Sequence, residues 1–305
     1  MSLGFRRNVK PYLDKTCPEA IGFLDFQNHD FSFRGMQSIE SAISSGMGFS
    51  VCSKGSDTLP VLWGNSKYYS TQNSVCSVPA TEHAVMTAYG KEKEEVAFSR
   101  ILSLYPTGII SLVSDSYDFF KIHTDTIYKL KDQILARNGK TVFRGDSGNP
   151  ADMICGMNIL EYTTLEEAKE DFENELYDNQ IHGEQEFEIS EEKLVKVEGK
   201  LYHLIADIDW NRYDKQYYHI EDISFKEFEI EQLPEHKGQV ELLWDCFGGT
   251  ISSTGYKILN EKVGVIWGDG ITFKNQTDIL ERLEAKGFAS CNIVFGIGSY
   301  SMGYA

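Results

Sequence analysis

The sequence predicts an α/β barrel that carries an acidic, β-rich insertion, and three observations lead to this fold class. Outside residues 161–236, short β-branched runs alternate with helical patterns, as in βα units around a parallel sheet. Each predicted strand ends in a cluster of polar and glycine residues, and in a closed barrel such ends face one mouth where active sites collect. No GxGxxG turn follows an early strand, which argues against the alternative, a doubly wound sheet.

The βα units of the barrel follow one another in the order strand, polar cluster and helix. Strands are predicted at 49–52, 108–113, 140–143, 263–267 and 292–295. Helices are predicted at 58–68, from the polar cluster at 114–118 through about residue 136, and at 278–286. The barrel would therefore comprise residues 1–160 and 237–305, and the glycine-rich loops after its last two strands are of the kind that holds phosphate.

The net charge of the chain is concentrated in one segment. Residues 161–235 hold 23 of the 46 acidic residues but only 7 of the 29 basic ones, a local balance of −16 that leaves −1 for the rest. Short alternating strands are predicted there at 187–189, 201–205 and 225–230. We interpret 161–236 as an insertion with a solvated acidic surface, and a face that docks a partner is the alternative.

Composition and charge exclude several classes of protein. A net charge of −17 argues against a general nucleic-acid binder. No apolar run reaches the ~18 residues that a membrane helix needs, and the N-terminal residues lack the apolar stretch of a secretory signal. The six cysteines lie far apart with no CxxC pair, which argues against a zinc ribbon and fits reduced thiols. We therefore expect a cytoplasmic protein that binds neither nucleic acid nor membrane.

Two motifs carry side chains suited to a flat ring and to phosphate. In 28–35, Arg34 offers a planar fork for phosphate or carboxylate and Phe31 an aromatic face for stacking, although a packed aromatic turn is the alternative. In 77–83, Thr81 is the predicted N-cap of a helix whose first turn holds His83. The helix dipole there would tolerate an anion, including a phosphate on the imidazole, and a purely structural histidine is the alternative.

A third motif places opposite charges at the end of a predicted strand. Arg144 and Asp146 are two residues apart, so their side chains project to the same side. The arginine could bind phosphate while the aspartate accepts hydrogen bonds from sugar hydroxyls, and a mutual ion pair is the alternative. The glycine loops at 268–270 and 296–298 would let the backbone approach an anion closely.

These motifs occur in an order and spacing that closely resembles the nicotinamide phosphoribosyltransferases, of the nicotinate/nicotinamide phosphoribosyltransferase family. They are HDFSFRG (29–35), KGSDT (54–58), SVPATEH (77–83), VSDSYD (113–118), FRGDSGNP (143–150), FGGTISSTGYKILN (247–260), VIWGDGIT (265–272) and KGFASCNIVFGIGS (286–299). The resemblance implies an irregular TIM-like barrel of the type II phosphoribosyltransferases and a homodimer with active sites at the interface. It implies that nicotinamide and phosphoribosyl pyrophosphate give nicotinamide mononucleotide and pyrophosphate, with Mg²⁺ as cofactor and ATP as a coupling substrate.

The resemblance also implies roles for residues around the pyridine ring. Phe31 resembles the aromatic side chain that stacks on nicotinamide, and Arg34 resembles an arginine on the phosphate side. Asp57 resembles the carboxylate that accepts the amide hydrogen of nicotinamide. Because a carboxylate repels the carboxylate of nicotinate at that distance, Asp57 favours nicotinamide as the substrate.

The resemblance also implies that four residues take part in the chemical steps. His83 resembles the histidine that ATP phosphorylates, and Arg144 the arginine near the base and the diphosphate. Asp146 resembles the aspartate on the ribose hydroxyls, and with Asp118 it would supply negative charge near C1′ as the glycosidic bond breaks. The remaining residues resemble groups that line the site, the ribose loop and the 5′-phosphate loop: Ser77, Ser114, Gly268, Asp269, Gly298 and Ser299.

The chain also departs from the family pattern. Gly145 stands where a proline is usual, and Ser299 stands where a second glycine is common. The sequence looks as if it begins inside the pattern and ends just after the phosphate loop, without the upstream aromatic and the downstream basic residues of the family. We therefore expect weak turnover from this chain alone. Nicotinate phosphoribosyl transfer and a non-catalytic binding subunit are the two alternative functions.

Overall fold

The structure, a computed structural model, describes residues 2–181, 190–214 and 217–300. The chain divides into two compact units, Met1–Met157 with Lys237–Ala305, and Asn158–His236. The strand predicted at 187–189 lies outside the described residues. Within the described ranges, no helix combines the length and apolar character that a membrane span requires.

Strands and helices alternate along most of the first unit, whereas the second unit is mainly β-structure. The described strands are β1 (Asn28–Asp30), β2 (Gly55–Ser56), β3 (Ile110–Val113), β4 (Thr141–Gly145), β5 (Leu160–Tyr162), β6 (Ser190–Val197), β7 (Lys200–Asp214), β8 (Tyr217–Ile230), β9 (Gly249–Ile251), β10 (Lys257–Leu259), β11 (Val263–Trp267) and β12 (Ile293–Ile297). The described α-helices are α1 (Ser2–Thr16), α2 (Ile39–Ser50), α3 (Val61–Tyr69), α4 (His83–Tyr89), α5 (Glu94–Leu104), α6 (Phe119–Lys121), α7 (Ile127–Lys129), α8 (Lys131–Ala136), α9 (Pro150–Cys155), α10 (Leu165–Ile181), α11 (Pro234–Lys237), α12 (Gln239–Phe247) and α13 (Phe273–Ala285).

A parallel sheet of six strands forms the centre of the first unit, in the order β2-β1-β12-β11-β4-β3. Every neighbouring pair in it is parallel, so the carboxyl ends of all six strands lie along one edge. Residues 76–81 join the two outer strands. Ser56 N donates to Cys76 O beside β2, and Ser111 N donates to Pro79 O beside β3, each over 2.9 Å. The sheet is therefore curled, and the predicted α/β class is confirmed.

The core of the first unit is formed by this sheet and the helices packed against it. Strand β11 is buried along its whole length. On α1, Phe5, Val9 and Leu13 recur every four residues and are buried, as expected for the apolar stripe of an amphipathic helix. Phe5 stacks on Phe273 of α13 with ring centroids 4.2 Å apart. The two helices, which are distant in sequence, thus pack together over one core.

Four of the predicted strands of the first unit are confirmed, three of them with shifted ends. β11 has the predicted bounds, β3 is shorter, and β4 and β12 each run two residues further than predicted. Arg144 and Gly145 therefore belong to β4 rather than to the loop after it. This matters for the site, because backbone pairing with β11 fixes the position of both residues.

The strand predicted at 49–52 is wrong. Helix α2 runs through Ser50, and it begins with a capping box in which Ser38 and Ser41 exchange side-chain and backbone hydrogen bonds. Ala42, Gly46 and Phe49 are its buried residues, at helical spacing. The strand that follows is only two residues long, and pairing with β1 rather than β-branched composition defines it.

The predicted helices are partly confirmed. Helix 58–68 corresponds to α3, and helix 278–286 lies largely within the longer α13. The helical stretch predicted from the polar cluster at 114–118 through about residue 136 is confirmed, but it is divided into α6, a π-helical turn at Ile122–Thr126, α7 and α8. In this turn the buried His123 bonds Phe119 O through Nδ1 over 2.7 Å and meets Gln239 of α12 through Nε2 over 2.9 Å.

The second unit is a four-stranded sheet in the order β5-β6-β7-β8, with helix α10 packed on one face. Ala168, Phe172 and Leu176 recur every four residues on α10 and share a core with the strands. Glu198 and Gly199 join β6 to β7 with φ of 48° and 80°, the left-handed pair that a tight two-residue hairpin requires. The strands predicted at 201–205 and 225–230 are confirmed as parts of β7 and β8.

Candidate functional site

The candidate site lies at the carboxyl edge of the six-stranded sheet, because each strand is followed at once by predicted site residues. These are Phe31 after β1, Asp57 after β2, Ser114 after β3, Asp146 after β4, Gly268 and Asp269 after β11, and Gly298 and Ser299 after β12. Ligands of α/β proteins commonly bind at this edge. The parallel topology therefore brings together residues that are up to 268 positions apart in sequence.

Phe31 is held by its backbone and by a glycine on the neighbouring strand. Its N–H donates to Ile297 O over 3.0 Å. Its ring lies directly over Gly296, where an added Cβ would come within 2.5 Å of the ring. The ring also contacts His29 of β1, with centroids 4.8 Å apart and planes at 51°. The ring is thus fixed at a half-exposed position suited to stacking.

Asp57 receives two hydrogen bonds on one carboxylate oxygen. Oδ1 lies 2.8 Å from Nε2 of His29 and 2.5 Å from the donating hydroxyl of Ser77. No described side chain bonds Oδ2, and the carboxylate is 42% exposed. Burial by itself raises the pKa of Asp57, but the hydrogen bonds from His29 and Ser77 outweigh it and hold the pKa below its ordinary value. Asp57 is therefore an anion with one oxygen free to accept.

A cavity of about 460 Å³ is lined by residues of the curled sheet together with Asp57 and Phe31. Most of its lining is apolar, from strand residues such as Val142, Ile266 and Val294. The cavity gives the stacking ring and the free carboxylate oxygen a common space of the size that small-molecule sites occupy.

His83 lies at the start of α4 and contacts two carboxylates. Its Nε2 is 3.0 Å from Asp115 Oδ1, and its Nδ1 is 3.9 Å from Asp146 Oδ2. The predicted N-cap, Thr81, is wrong: Glu82 occupies the N-cap position, and the Thr81 hydroxyl instead accepts from Val113 N over 2.8 Å. The Thr81 side chain therefore bonds β3 and does not cap α4. Asp115 is the residue that orients the ring of His83.

Arg144 is the most informative residue of the site. Its side chain is only 4% exposed, and its Nε and Nη2 atoms are buried without a hydrogen-bond partner among the described residues. Two carboxylates lie close, Asp146 at 3.3 Å and Glu82 at 3.8 Å from Nη2. Because a buried guanidinium with unmet donors is costly, the arrangement fits an anion that bonds these donors when bound.

Asp146 shows the same incomplete bonding on the acceptor side. Its Oδ1 is buried with no described donor and lies against Gly268, where an added Cβ would be 1.9 Å away. Burial raises the pKa of Asp146, and the negative charges of Asp115 and Asp269 act in the same direction, against Arg144 and His83. Only a glycine at 268 leaves space for this carboxylate, which supports the prediction that the two positions act together.

The other predicted residues have different surroundings. Arg34 is 76% exposed, and its Nη2 lies 3.4 Å from Glu82 Oε1. Ser114 is buried, and its hydroxyl donates to Leu112 O over 3.1 Å, so its predicted place in the lining of the site stays a prediction. Asp118 caps α6 by accepting from Lys121 N over 2.9 Å. Its carboxylate is therefore occupied at a helix end in this structure.

Packing explains both departures from the family pattern. An added Cβ at Gly145 would lie 2.6 Å from the Trp267 ring and 2.9 Å from Phe119. Glycine at 145 thus accommodates the large indole of β11. Ser299 places its hydroxyl where a Cβ on Gly35 would be, at 1.9 Å, so the loop after β12 contacts the turn that carries Arg34.

Three residues of the site were missed by the sequence reasoning: Asp115, Glu82 and His29. Asp115 is the second residue after β3, so its position near a strand end could have identified it. Its Oδ2 accepts from Asp146 N over 2.8 Å while its Oδ1 holds His83. Glu82 and His29 stand inside quoted motifs, but only the folded chain shows that they contact Arg144 and Asp57.

No preformed metal cluster occurs among residues 2–181, 190–214 and 217–300. The chemistry of the donor set is nevertheless compatible with Mg²⁺, which is commonly held by one or two carboxylates together with substrate phosphates. Asp146, with its unbonded Oδ1, is a carboxylate of this kind.

Comparison with known proteins gives consistent results. The family model of the nicotinate phosphoribosyltransferase (NAPRTase) family matches residues 26–191 and 225–302. The chain belongs to the nicotinate phosphoribosyltransferase family. It is 35% identical over 308 residues to a nicotinamide phosphoribosyltransferase of Acinetobacter baylyi, covering 98% of this chain and 47% of that protein. It is 32% identical over 277 residues to a nicotinamide phosphoribosyltransferase of Mycoplasma pneumoniae, covering 91% of this chain and 44% of that protein.

The chain thus spans about half the length of the curated relatives that it matches. The family match includes all six strands of the curled sheet and every residue of the candidate site named above. The family assignment therefore rests on the part of the molecule that carries the site.

Proposed function

We propose that the chain binds phosphoribosyl pyrophosphate and nicotinamide at the carboxyl edge of the sheet and transfers the phosphoribosyl group to the pyridine nitrogen. The products are nicotinamide mononucleotide and pyrophosphate, a step of NAD salvage. The observation that carries the proposal is the buried Arg144, which lies beside Asp146 on the same edge as Asp57 and Phe31 and whose Nε and Nη2 have no hydrogen-bond partner among the described residues. Family membership and the names of the two relatives support it.

The base would be held by two contacts. Phe31 offers a fixed ring face for stacking, and Asp57 offers Oδ2 as acceptor for the amide N–H of nicotinamide. Together they restrict the rotation of the base and hold its ring nitrogen in line with C1′ of the ribose, an arrangement that lowers the entropic part of the barrier.

The leaving group requires positive charge, and the developing cation at C1′ requires negative charge. Arg144 would bond the diphosphate, while Asp146 accepts from the ribose hydroxyls and stabilises the cationic sugar. Mg²⁺, held by Asp146 and the substrate phosphates, would neutralise further charge on the diphosphate. The exposed Arg34 and the loops at Gly268–Asp269 and Gly298–Ser299 would contact the phosphates and the ribose.

ATP coupling is a separate proposal. We propose that His83 attacks the γ-phosphorus of ATP through Nδ1, so that the bond to the β-phosphate oxygen breaks and ADP leaves, while Asp115 keeps the ring oriented by bonding Nε2 over 3.0 Å. The His83→Gln variant should lose an acid-labile label from γ-labelled ATP while still binding nicotinamide. A variant that is labelled as strongly as the parent would refute the role of His83.

The finer architecture also follows from the resemblance. We propose that the curled sheet belongs to an irregular TIM-like barrel of the type II phosphoribosyltransferases and that 161–236 is an insertion into it. We propose a cytoplasmic homodimer with the site at the interface. The exposed Trp63, Tyr68 and Tyr69 of α3 are the kind of surface that such an interface covers. A sedimentation coefficient that stays monomeric at all concentrations would refute the dimer.

The experiment that tests the transferase proposal compares nicotinamide with nicotinate. Purified chain is titrated with each pyridine in the presence of phosphoribosyl pyrophosphate and Mg²⁺, and formation of the mononucleotide is followed by chromatography. We expect binding and turnover of nicotinamide in preference to nicotinate. In Asp57→Asn, whose amide can donate to a carboxylate, this preference should shrink by about 10- to 100-fold, the loss of one charge-assisted hydrogen bond. Preference for nicotinate by the parent chain would favour the other activity of the family, and binding of neither pyridine would refute the proposal.

A further inference from the structure

The carboxylate that would select the amide does not stand alone. Oδ1 of Asp57 is occupied by His29 and Ser77, and Oδ2 is the oxygen that no described side chain bonds. The backbone on either side is fixed, since Asp57 N donates to Asp30 O over 2.9 Å. The orientation of the free oxygen therefore depends on the two donors that hold the bonded one.

Of these two donors, His29 is the more rigid. It lies in β1, is 8% exposed, and the Nδ1 edge of its ring lies against Gly55 of β2, where an added Cβ would be 2.6 Å from Nδ1. With Nδ1 against the backbone, only Nε2 faces Asp57, so the ring donates from Nε2 whether it is neutral or protonated. Ser77, in contrast, is exposed and lies in the irregular segment 76–81.

His29 also contacts the other element that would hold the base. Its ring lies 4.8 Å from that of Phe31 between centroids. One imidazole thus supports both the stacking face and the hydrogen-bond acceptor, although it need not touch the ligand itself.

We propose that His29 is the positioning residue that determines the choice between a pyridine amide and a pyridine carboxylate: it keeps Asp57 ionised and directs Oδ2 toward the ligand. The inference rests on the proposed function. Without the Nε2 donor, Asp57 loses a bond to its charged form and takes up a proton more readily. A protonated Asp57 can donate to the carboxylate of nicotinate instead of repelling it, so selectivity would fall.

The groups that act on Asp57 come from three elements of the sheet. His29 acts from β1, Ser77 from residues 76–81, and Arg144 at longer range from β4. His29 and Arg144 favour the ionised carboxylate, and the hydroxyl of Ser77 does so by hydrogen bonding. When His29 alone is removed, Ser77 and Arg144 still favour the ionised form of Asp57, but more weakly. The remaining preference for nicotinamide over nicotinate should decrease as the pH falls toward the pKa of Asp57.

The test uses the variant His29→Met, which fills the space but has no donor, and His29→Gln, whose Nε2 can occupy the place of the imidazole Nε2. Binding of nicotinamide and nicotinate is measured by titration calorimetry between pH 5 and pH 8, and KM and kcat are measured where turnover occurs. Ser77→Ala is the matched control that removes the other donor.

We expect His29→Met to lose about 10- to 100-fold of the preference for nicotinamide, mainly through binding rather than kcat, and to bind nicotinate better at pH 5 than at pH 8. His29→Gln should recover much of the preference, and Ser77→Ala should change it less. If His29→Met fails to fold, Gly55→Ala displaces the same ring by steric contact and should show the same loss of preference.

Unchanged preference in folded His29→Met and in Gly55→Ala, with a parent chain that selects nicotinamide, would refute the role of His29 alone. A parent chain that binds neither pyridine would refute the proposed function, and the role of His29 with it.

Discussion

Replacing Gly268 with alanine gives the sharpest test of how Asp146 is held. The added Cβ would lie 1.9 Å from Asp146 Oδ1. Carbon and oxygen atoms pack at about 3.2 Å or more, so the carboxylate must retreat by about 1 Å. A misplacement of that size costs on the order of 100-fold in a positioned site, or about 2.7 kcal/mol. We therefore expect Gly268→Ala to weaken binding of phosphoribosyl pyrophosphate about 100-fold in a chain that remains folded.

The assay is titration calorimetry of phosphoribosyl pyrophosphate with Mg²⁺, together with urea unfolding. Gly48→Ala is the matched control: it lies in α2, and an added Cβ there meets nothing within 4 Å, so binding should be unchanged. If Gly268→Ala acts by moving Asp146, then adding it to Asp146→Asn should cost little more than Asp146→Asn alone. Binding equal to that of Gly48→Ala, or full additivity with Asp146→Asn, would contradict the reasoning.

Three further predictions concern charge and packing. Glu82→Gln should tighten the binding of pyrophosphate about fivefold, because it removes a negative charge that repels the bound anion by ~1 kcal/mol. Weaker binding of pyrophosphate in titration calorimetry would contradict this prediction. Gly145→Ala should lower the free energy of unfolding in urea by about 1–3 kcal/mol, and by less when Trp267→Phe is also present; equal losses in both backgrounds would exclude the contact as the cause. Burial raises the pKa of Glu94 to about 7, above its value in the unfolded chain. Between about pH 4.5 and pH 7 the folded state therefore binds a proton that the unfolded state has lost, so the free energy of unfolding falls as the pH rises through this range. Relative to Glu94→Gln, the parent should lose about 2–3 kcal/mol between pH 5 and pH 8, and a pH-independent difference would refute the shift.

In the second unit, local sequence patterns predict strands and a turn without knowledge of the fold. Strands at 201–205 and 225–230 follow from alternating polar and apolar residues, and both are found in the long hairpin β7–β8. The hairpin turn at Glu198 and Gly199 needs two residues with positive φ, which glycine adopts freely. Such features depend on neighbours in sequence and can therefore be predicted without the fold.

Strand ends were harder to predict because pairing partners define them. β2 is two residues long and exists through its bonds to β1 and to residues 76–81, which its own composition does not indicate. The stretch that follows the polar cluster at 114–118 is predicted to be helical through about residue 136, yet the buried His123 and its bond to Gln239 accompany a π-helical turn within it. In both cases, contacts between distant segments outweigh local preference.

The sequence by itself determined which chemical groups are available. It placed Asp146 and Gly268 after apolar strands, because the alternation of buried strand and polar loop is a property of the chain alone. Phe31 and Asp57 also follow strands, but β1 and β2 are short and polar and the sequence did not predict them. The tertiary structure decided which of these groups meet. Only the parallel register puts His29 on Asp57, since a hydrogen bond between residues 28 positions apart depends on the pairing of β1 with β2 and not on composition.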